Sequence, residues 1–368
     1  MNDETISALA LAVLAERHPG EHRVAVIPDD IARLRGKIAF KVERGAGARA
    51  GFDDASYEAA GATIVEHAQA LASPAIVAVR APEPSALQRG AVLISLGGRD
   101  AALGRRLNEM AISHLGLERM PRITRAQSMD VLSSQGSISG YAAVIEGART
   151  LGVLLPMMTT AAGGIKPAKM IALGAGVAGL QAIATARRLG AVAHGFDVRA
   201  AAREQVESLG GRFVSVESPA DNADAAGGYA AEQTAATQQR LREALAVHLS
   251  SMDLIITTAQ VPDRRAPILI DDHTVAGLKP GAVVIDLAAE SGGNCSLTAP
   301  DEVVERNGVR IFGPTNLPSL IAKDASRLFS GNIRALLTHL LQVDARLMLR
   351  PEDEITNALL GSSLRVAA

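Results

Sequence analysis

Along most of the chain, short apolar runs alternate with stretches whose apolar positions recur at helical spacing. In the first third, residues 23–27, 37–42, 75–79 and 91–96 read as buried strands. Residues 29–34, 55–60 and 100–111 read as the helices between them, and the apolar run 6–14 as a buried first strand or helix. Such alternation predicts parallel sheets covered by helices. A long helical pattern fills 126–151, and a second runs over 319–349. Between them, strands are expected near 170–173, 191–193, 212–216, 254–257, 282–287 and 309–312, with a helix over 230–247. Residues 217–229 are rich in Ser, Ala, Asp and Gly and read as a surface loop. The fold class expected is α/β, with two Rossmann-like domains carrying parallel sheets, joined by two long helices with a cleft between them. The first domain takes 1–132 with 319–368, and the second 133–318.

The apolar run Met170 to Leu173 breaks into Gly174, Gly176 and Gly179 at G-x-G-x-x-G spacing, and an alanine-rich helical pattern follows at once. A bound dinucleotide gives each of these features a task. Gly174 allows the tight turn, Gly176 lets the pyrophosphate approach the backbone, and Gly179 lets the helix lie close to the strand. The helix N-terminus, with Val177 and Ala178 in its first turn, offers amides and partial positive charge to the phosphates. Asp197 ends the next strand eighteen residues after Gly179, where a carboxylate accepts ribose hydroxyls and repels a 2′-phosphate. NAD(H) is therefore expected over NADP(H), although the nearby Arg199 is the residue type that an NADP site uses. By contrast, the glycines of 45–51 have the wrong spacing and read as a plain loop, with Asp53 or Asp54 capping the helix that follows.

Length and composition narrow the class. A chain of 368 residues exceeds one compact domain. Aromatics are 2 % and Trp is absent, so the interior must be Ala, Val, Leu and Ile. A net charge of −2 and scattered arginines argue against a nucleic-acid surface. One cysteine, Cys295, excludes a disulfide framework and a cysteine-based metal site and points to an intracellular compartment. His114, His194 and His248 are not at ligand spacing, so no metal is expected. No apolar run is long enough to insert in a membrane.

A second unusual stretch runs from Pro121 to Gln135 and is dense in Arg, Gln, Ser and Asp. A capped helix start, with Thr124 as the N-cap and Asp130 in the first turn, accounts for it as well as a binding role does. Taken with the glycine motif, the chain resembles the NAD(H)-binding component, or domain I, of proton-translocating NAD(P) transhydrogenase, within a superfamily that includes alanine dehydrogenase. The residues carrying the resemblance include Glu21 to Ala25, Arg122 to Ser134, Gly174 to Gly179, Asp197 to Arg199, Gly227 to Tyr229, Asp286 to Cys295, Thr315 to Ser319 and Asp324 to Ser326.

The resemblance implies a Re/Si-specific transhydrogenase component in which Arg122, Gln127, Asp130 and Ser133 surround the nicotinamide end. Gln127 would bond ribose hydroxyls, Arg122 and Asp130 would pair and fix the loop, and Ser133 would read the carboxamide. Nucleotide contacts are implied for Gly174, Gly176, Val177, Ala178, Gly179, Asp197, Val198, Arg199, Gly228, Tyr229, Ala259 and Gln260, with Tyr229 on a mobile loop. The implied partners are an NADP(H)-binding domain and a membrane subunit that couples hydride transfer to proton translocation. A homodimer and a cytoplasmic, membrane-peripheral location are implied too, with no direct insertion. Leu320 and Gln260 stand where the family commonly has Arg and Leu.

An alanine-dehydrogenase-like enzyme is the nearest alternative, and a non-catalytic NAD(H)-sensing module is another. Amino-acid oxidation moves protons as well as hydride and needs a positioned acid or base. Where alanine dehydrogenase has its Lys and His, this chain has Arg80 and, in residues 93–98, no His. Arg23 remains where the relative holds its substrate carboxylate. Transfer between two nicotinamide rings needs only close, dry juxtaposition.

Overall fold

The computed structural model describes residues 9–216, 235–261, 264–341, 347, 349–350 and 352–361. The chain forms two compact units, 1–135 with 318–368 and 136–317. Among the described residues the first unit holds a six-stranded sheet in the order β3-β2-β1-β4-β5-β6. Its strands are β1 (Leu9–Val13), β2 (Ile38–Glu43), β3 (Thr63–Val65), β4 (Ala75–Arg80), β5 (Val92–Leu96) and β6 (Ser113–Gly116). Every pairing is parallel. Both faces are covered, which is why β4 is apolar without alternation. Leu11, Val13, Val77 and Val79 face one core with Phe329, Ile333 and Leu337, and Ala12, Ile76 and Ala78 face another with Leu107 and Ile112.

The second unit contains a short antiparallel hairpin, β7 (Met158–Thr160) and β8 (Gly163–Ile165). Among its described residues a seven-stranded sheet follows, in the order β11-β10-β9-β12-β13-β15-β14. These strands are β9 (Lys169–Leu173), β10 (Val192–Phe196), β11 (Arg212–Phe213), β12 (Leu254–Thr257), β13 (Val283–Asp286), β14 (Val303–Arg306) and β15 (Val309–Phe312). All pairings are parallel except β14 against β15. The chain leaves β9 for β10 on one side and returns to β12 on the other, so the strand order reverses at β9. Ligands of such sheets bind in the crevice beyond the strand ends at that reversal. The α/β class with two parallel Rossmann-like sheets is thus as expected from the sequence.

Several local expectations change. Residues 23–27 are buried but join no strand. Val24 N bonds to Ser326 Oγ at 2.9 Å and Ile27 N to Ser330 Oγ at 3.0 Å instead, as the preceding His22 N does to Ser319 Oγ at 2.6 Å, while Arg23 N bonds to the Glu21 carboxylate at 3.1 Å. The helical pattern at 126–151 is two elements, a 3-10 segment Thr124–Met129 and then helix α1 (Val131–Thr150). Asp130, not Thr124, caps α1, accepting Ser133 N at 3.0 Å and Ser133 Oγ at 2.6 Å. The glycine motif leads into α2 (Val177–Arg188) as expected. The last long helix, α3 (Ala322–Leu340), stops well short of residue 349. Asp53 caps helix Asp54–Ala60 by accepting Ser56 N at 2.8 Å, in line with the sequence.

Candidate functional site

Among the described residues, the ends of β9, β10 and β12 lie in register, with Leu173 paired to Phe196 and Thr257. Gly174 leaves β9 with φ +102°, a conformation that L side chains rarely adopt. A Cβ there would also stand 2.6 Å from the Thr258 hydroxyl. That hydroxyl donates to Gly174 O at 2.9 Å and so pins the turn to the loop after β12. At Gly179 a Cβ would fall 1.8 Å from Gly174 O, so only glycine lets α2 start this close to β9. Gly176 differs: it is exposed, and a Cβ there would meet nothing within 4 Å. Open space over Gly176, at the N-terminus of a twelve-residue helix, is the cradle that a pyrophosphate requires, and the residues present fit it. Val177 is exposed and Ala178 half-buried in the first turn of α2.

Asp197 and Arg199 close the turn. Asp197 Oδ2 accepts Ala175 N at 2.8 Å, which ties the end of β10 to the glycine loop. Arg199 forks onto the same carboxylate, with Nε to Oδ1 and a terminal nitrogen to Oδ2, both at 2.9 Å. Burial opposes ionisation of Asp197, but the Arg199 guanidinium and the Arg199 and Ala175 amides hold its carboxyl below the usual range. Val198 between them is half-buried.

Across the reversal point, Ala259 is half-buried and Gln260 is exposed. The Gln260 amide donates to Leu287 O at 3.1 Å. Ala259 is held by Asn294, whose side chain accepts Ala259 N at 3.0 Å and donates to Ala259 O and Pro267 O, each at 2.8 Å. Asn294 is in turn placed by Asp286. That fully buried carboxylate accepts from Thr257 Oγ1, Ala288 N, Asn294 N, Cys295 N and Thr298 Oγ1 at 2.6–3.0 Å. The linear pattern assigns no role to Thr258. Asn294 is marked only by its Gly-Gly-Asn-Cys context, where Gly292 and Gly293 both have positive φ. Nor does the pattern single out Gly140 on α1; a Cβ there would lie 2.1 Å from Ala178 O, so α1 meets the start of α2 backbone to backbone. Gly228 and Tyr229 lie outside the described residues.

The polar stretch belongs to the first unit. Arg122 and Gln127 are exposed, and Asp130 and Ser133 are half-buried at the cap of α1. The 3-10 segment is tied down by Asn332 of α3, which donates to Ser128 O at 2.8 Å and accepts Ser134 Oγ at 2.6 Å. Gln127 therefore projects from a fastened segment. Arg23 and Arg80 both serve the fully buried Glu21: Arg23 reaches it through Nε and a terminal nitrogen, each at 2.7 Å, and Arg80 through Nε at 3.3 Å. Leu320 is exposed.

His114 is buried against Ser95 Oγ at 3.0 Å, and burial followed by the nearby Arg119 charge pushes it down to about 4. The Cys295 thiol is pushed up to about 11 by burial, which suits packing and not nucleophilic attack. Among the described residues no group of three His, Cys, Asp or Glu could hold a metal ion, and no helix is long and apolar enough to cross a membrane.

Comparison with known proteins agrees with this architecture. Residues 12–139 match the family model "Alanine dehydrogenase/PNT, N-terminal domain" and 143–364 match "Alanine dehydrogenase/PNT, C-terminal domain". An NAD(P) transhydrogenase alpha-subunit chain of Rhodospirillum rubrum is 44 % identical over 362 residues, covering 94 % of each chain. Among solved structures, the transhydrogenase from Sinorhizobium meliloti superposes with TM-score 0.81 at 39 % identity, covering 90 % of this chain and 94 % of that one. An L-alanine dehydrogenase follows with TM-score 0.76 at 25 % identity, covering 90 % of each chain.

Proposed function

The chain belongs to the alanine dehydrogenase/PNT family, and from that premise we propose that it is the NAD(H)-binding component of a proton-translocating NAD(P) transhydrogenase. It passes hydride directly from NADH to NADP+ held on a partner domain, with the Re/Si specificity of that class. The observation that carries the reading is the turn at the end of β9. An open Gly176 at a helix N-terminus leaves room for a phosphate, and an ionised Asp197 stands at the end of the neighbouring strand, where a ribose would lie.

Bound NADH supplies the hydride. Gly174, Gly176, Gly179, Val177 and Ala178 hold the pyrophosphate, Asp197 and Val198 the adenosine ribose with Arg199 beside it, and Ala259 and Gln260 the adenine side. Gly228 and Tyr229 act from the loop that closes over the nucleotide. At the nicotinamide end, Gln127 bonds ribose hydroxyls, Arg122 and Asp130 fix the segment, and Ser133 orients the carboxamide. Ser133 donates to Asp130, yet its oxygen keeps acceptor capacity for a carboxamide N–H.

No proton-transferring residue is required, because the hydride moves between two carbons at about 3–3.5 Å. Arg23 and Arg80 are both committed to Glu21, which disfavours an oxo-acid substrate as the acceptor.

The partners are an NADP(H)-binding domain and a membrane subunit, with this component peripheral at the cytoplasmic face. A homodimer is supported by the apolar side chains exposed on and beside the β7–β8 hairpin, Val153, Met157, Met158 and Ile165. The deciding experiment mixes the purified chain with a partner domain loaded with NADPH and follows the reduction of an oxidised NAD analogue by that NADPH. Gln127→Ala is expected to lose at least tenfold in turnover with little change in NADH affinity. Oxidation of NADH by pyruvate and ammonia, with no other protein present, would overturn the proposal.

A further inference from the structure

The Asp197 carboxylate is already full. An ionised carboxylate offers about four acceptor positions, and four donors reach it: the Arg199 amide and Nε on Oδ1, and the Ala175 amide and an Arg199 terminal nitrogen on Oδ2. The four are not equivalent. The two amides belong to the turn itself and cannot leave without dismantling it. The other two come from one side chain, one on each oxygen. Withdrawing the Arg199 guanidinium would leave one acceptor position on each oxygen of Asp197, held in place by the backbone. Two adjacent acceptor positions match two adjacent hydroxyls.

Exposure points the same way. The Asp197 side chain is 7 % exposed and that of Arg199 is 22 %, so the guanidinium covers the carboxylate from the solvent side. It also lies within 3.4 Å of Ala175 O, at the lip of the glycine turn.

We propose that Arg199 is a specificity-determining residue: its guanidinium stands in for the adenosine ribose diol on Asp197, is displaced when the dinucleotide binds, and then lies beside the 2′ position. This rests on the dinucleotide reading above and deepens it. Asp197 alone repels a 2′-phosphate, whereas a displaced guanidinium attracts one. The pair therefore tempers discrimination between NADH and NADPH, and it costs NADH affinity because the diol must compete with an internal donor.

The chain has no Trp, so the fluorescence of the bound reduced nucleotide reads binding without interference. Dissociation constants for NADH and NADPH are measured for the wild-type chain, Arg199→Ala and Arg199→Lys. Lys keeps a charge but cannot fork onto both oxygens, and it guards against a folding defect in the Ala variant. In Arg199→Ala the NADPH-to-NADH ratio of dissociation constants is expected to rise at least tenfold, with NADH bound no more weakly than by wild type. Arg199→Lys should fall between the two. A smaller rise, or weaker NADH binding in the variants that fold, overturns the proposal. A wild-type chain that binds neither nucleotide overturns this proposal and the dinucleotide reading together.

Discussion

Replacing Asp286 by asparagine keeps the shape of the side chain and removes one acceptor oxygen from a site where every neighbour is a donor. Oδ1 takes Thr257 Oγ1 and Ala288 N, and Oδ2 takes Asn294 N, Cys295 N and Thr298 Oγ1. If the new amide nitrogen stands in the Oδ1 position, Ala288 N–H faces another N–H. In the Oδ2 position, both the Asn294 and Cys295 amides do. The threonine hydroxyls can rotate, but a backbone amide cannot. The cheaper orientation therefore leaves one buried amide without an acceptor, at a cost of about 1–3 kcal/mol. The surviving bonds also lose their charge assistance, roughly another 1–2 kcal/mol together. A loss of about 2–5 kcal/mol lowers the melting temperature by roughly 4–20 °C for a unit of this size. Thermal unfolding followed by circular dichroism gives the value directly. A variant melting within about 2 °C of wild type would refute the view that this carboxylate organises the loops around the site.

Gly179→Ala and Gly176→Ala separate packing from ligand space. The first sets a Cβ 1.8 Å from Gly174 O and should lose both stability and about a hundredfold in NADH affinity; the second meets nothing and should keep its melting temperature while losing affinity in a fluorescence titration. The Glu16 carboxyl is pushed up to about 7 by burial, against the Val79 and Arg80 amides that favour its charge. Between its ordinary 4.5 and about 7, the folded form keeps a proton that the unfolded form releases, so stability falls as pH rises through that window, by up to about 3 kcal/mol. Glu16→Gln should flatten this slope and exceed wild type in urea unfolding at pH 8; equal slopes in the two proteins would sink the assignment. If the proposed homodimer forms through this hairpin, Met158→Asp, which alters a side chain 43 % exposed, should leave folding unaffected and sediment as a monomer, with the wild type sedimenting as a dimer.

The elements legible in the sequence are those whose stabilising contacts are local or periodic. Strands β2, β4 and β5 and the α2 turn announce themselves through apolar runs and glycine spacing. Residues 23–27 mislead because burial looks alike in sequence whether the amides pair with a strand or with serine hydroxyls some 300 positions away. Strands β3 and β6 have three and four residues, too few to show a pattern against their neighbours. At the site, the glycines and Asp197 are identifiable from spacing. The occupation of Asp197 by Arg199 is not, because a fork between residues two apart is a matter of side-chain direction, which spacing does not carry.

The serine ladder bears on the order in which the chain can be completed. Ser319, Ser326 and Ser330 supply partners for the His22, Val24 and Ile27 amides, and Phe329, Ile333 and Leu337 fill one face of the first sheet. During synthesis at about 5–20 residues per second, the opening segment waits on the order of ten seconds or more for those hydroxyls to emerge. In that interval the second unit, encoded between the two halves, has all its own strands and can finish first. A nascent chain stalled before α3 would therefore carry a finished second unit and an uncovered apolar sheet, and that sheet is where a chaperone would hold it.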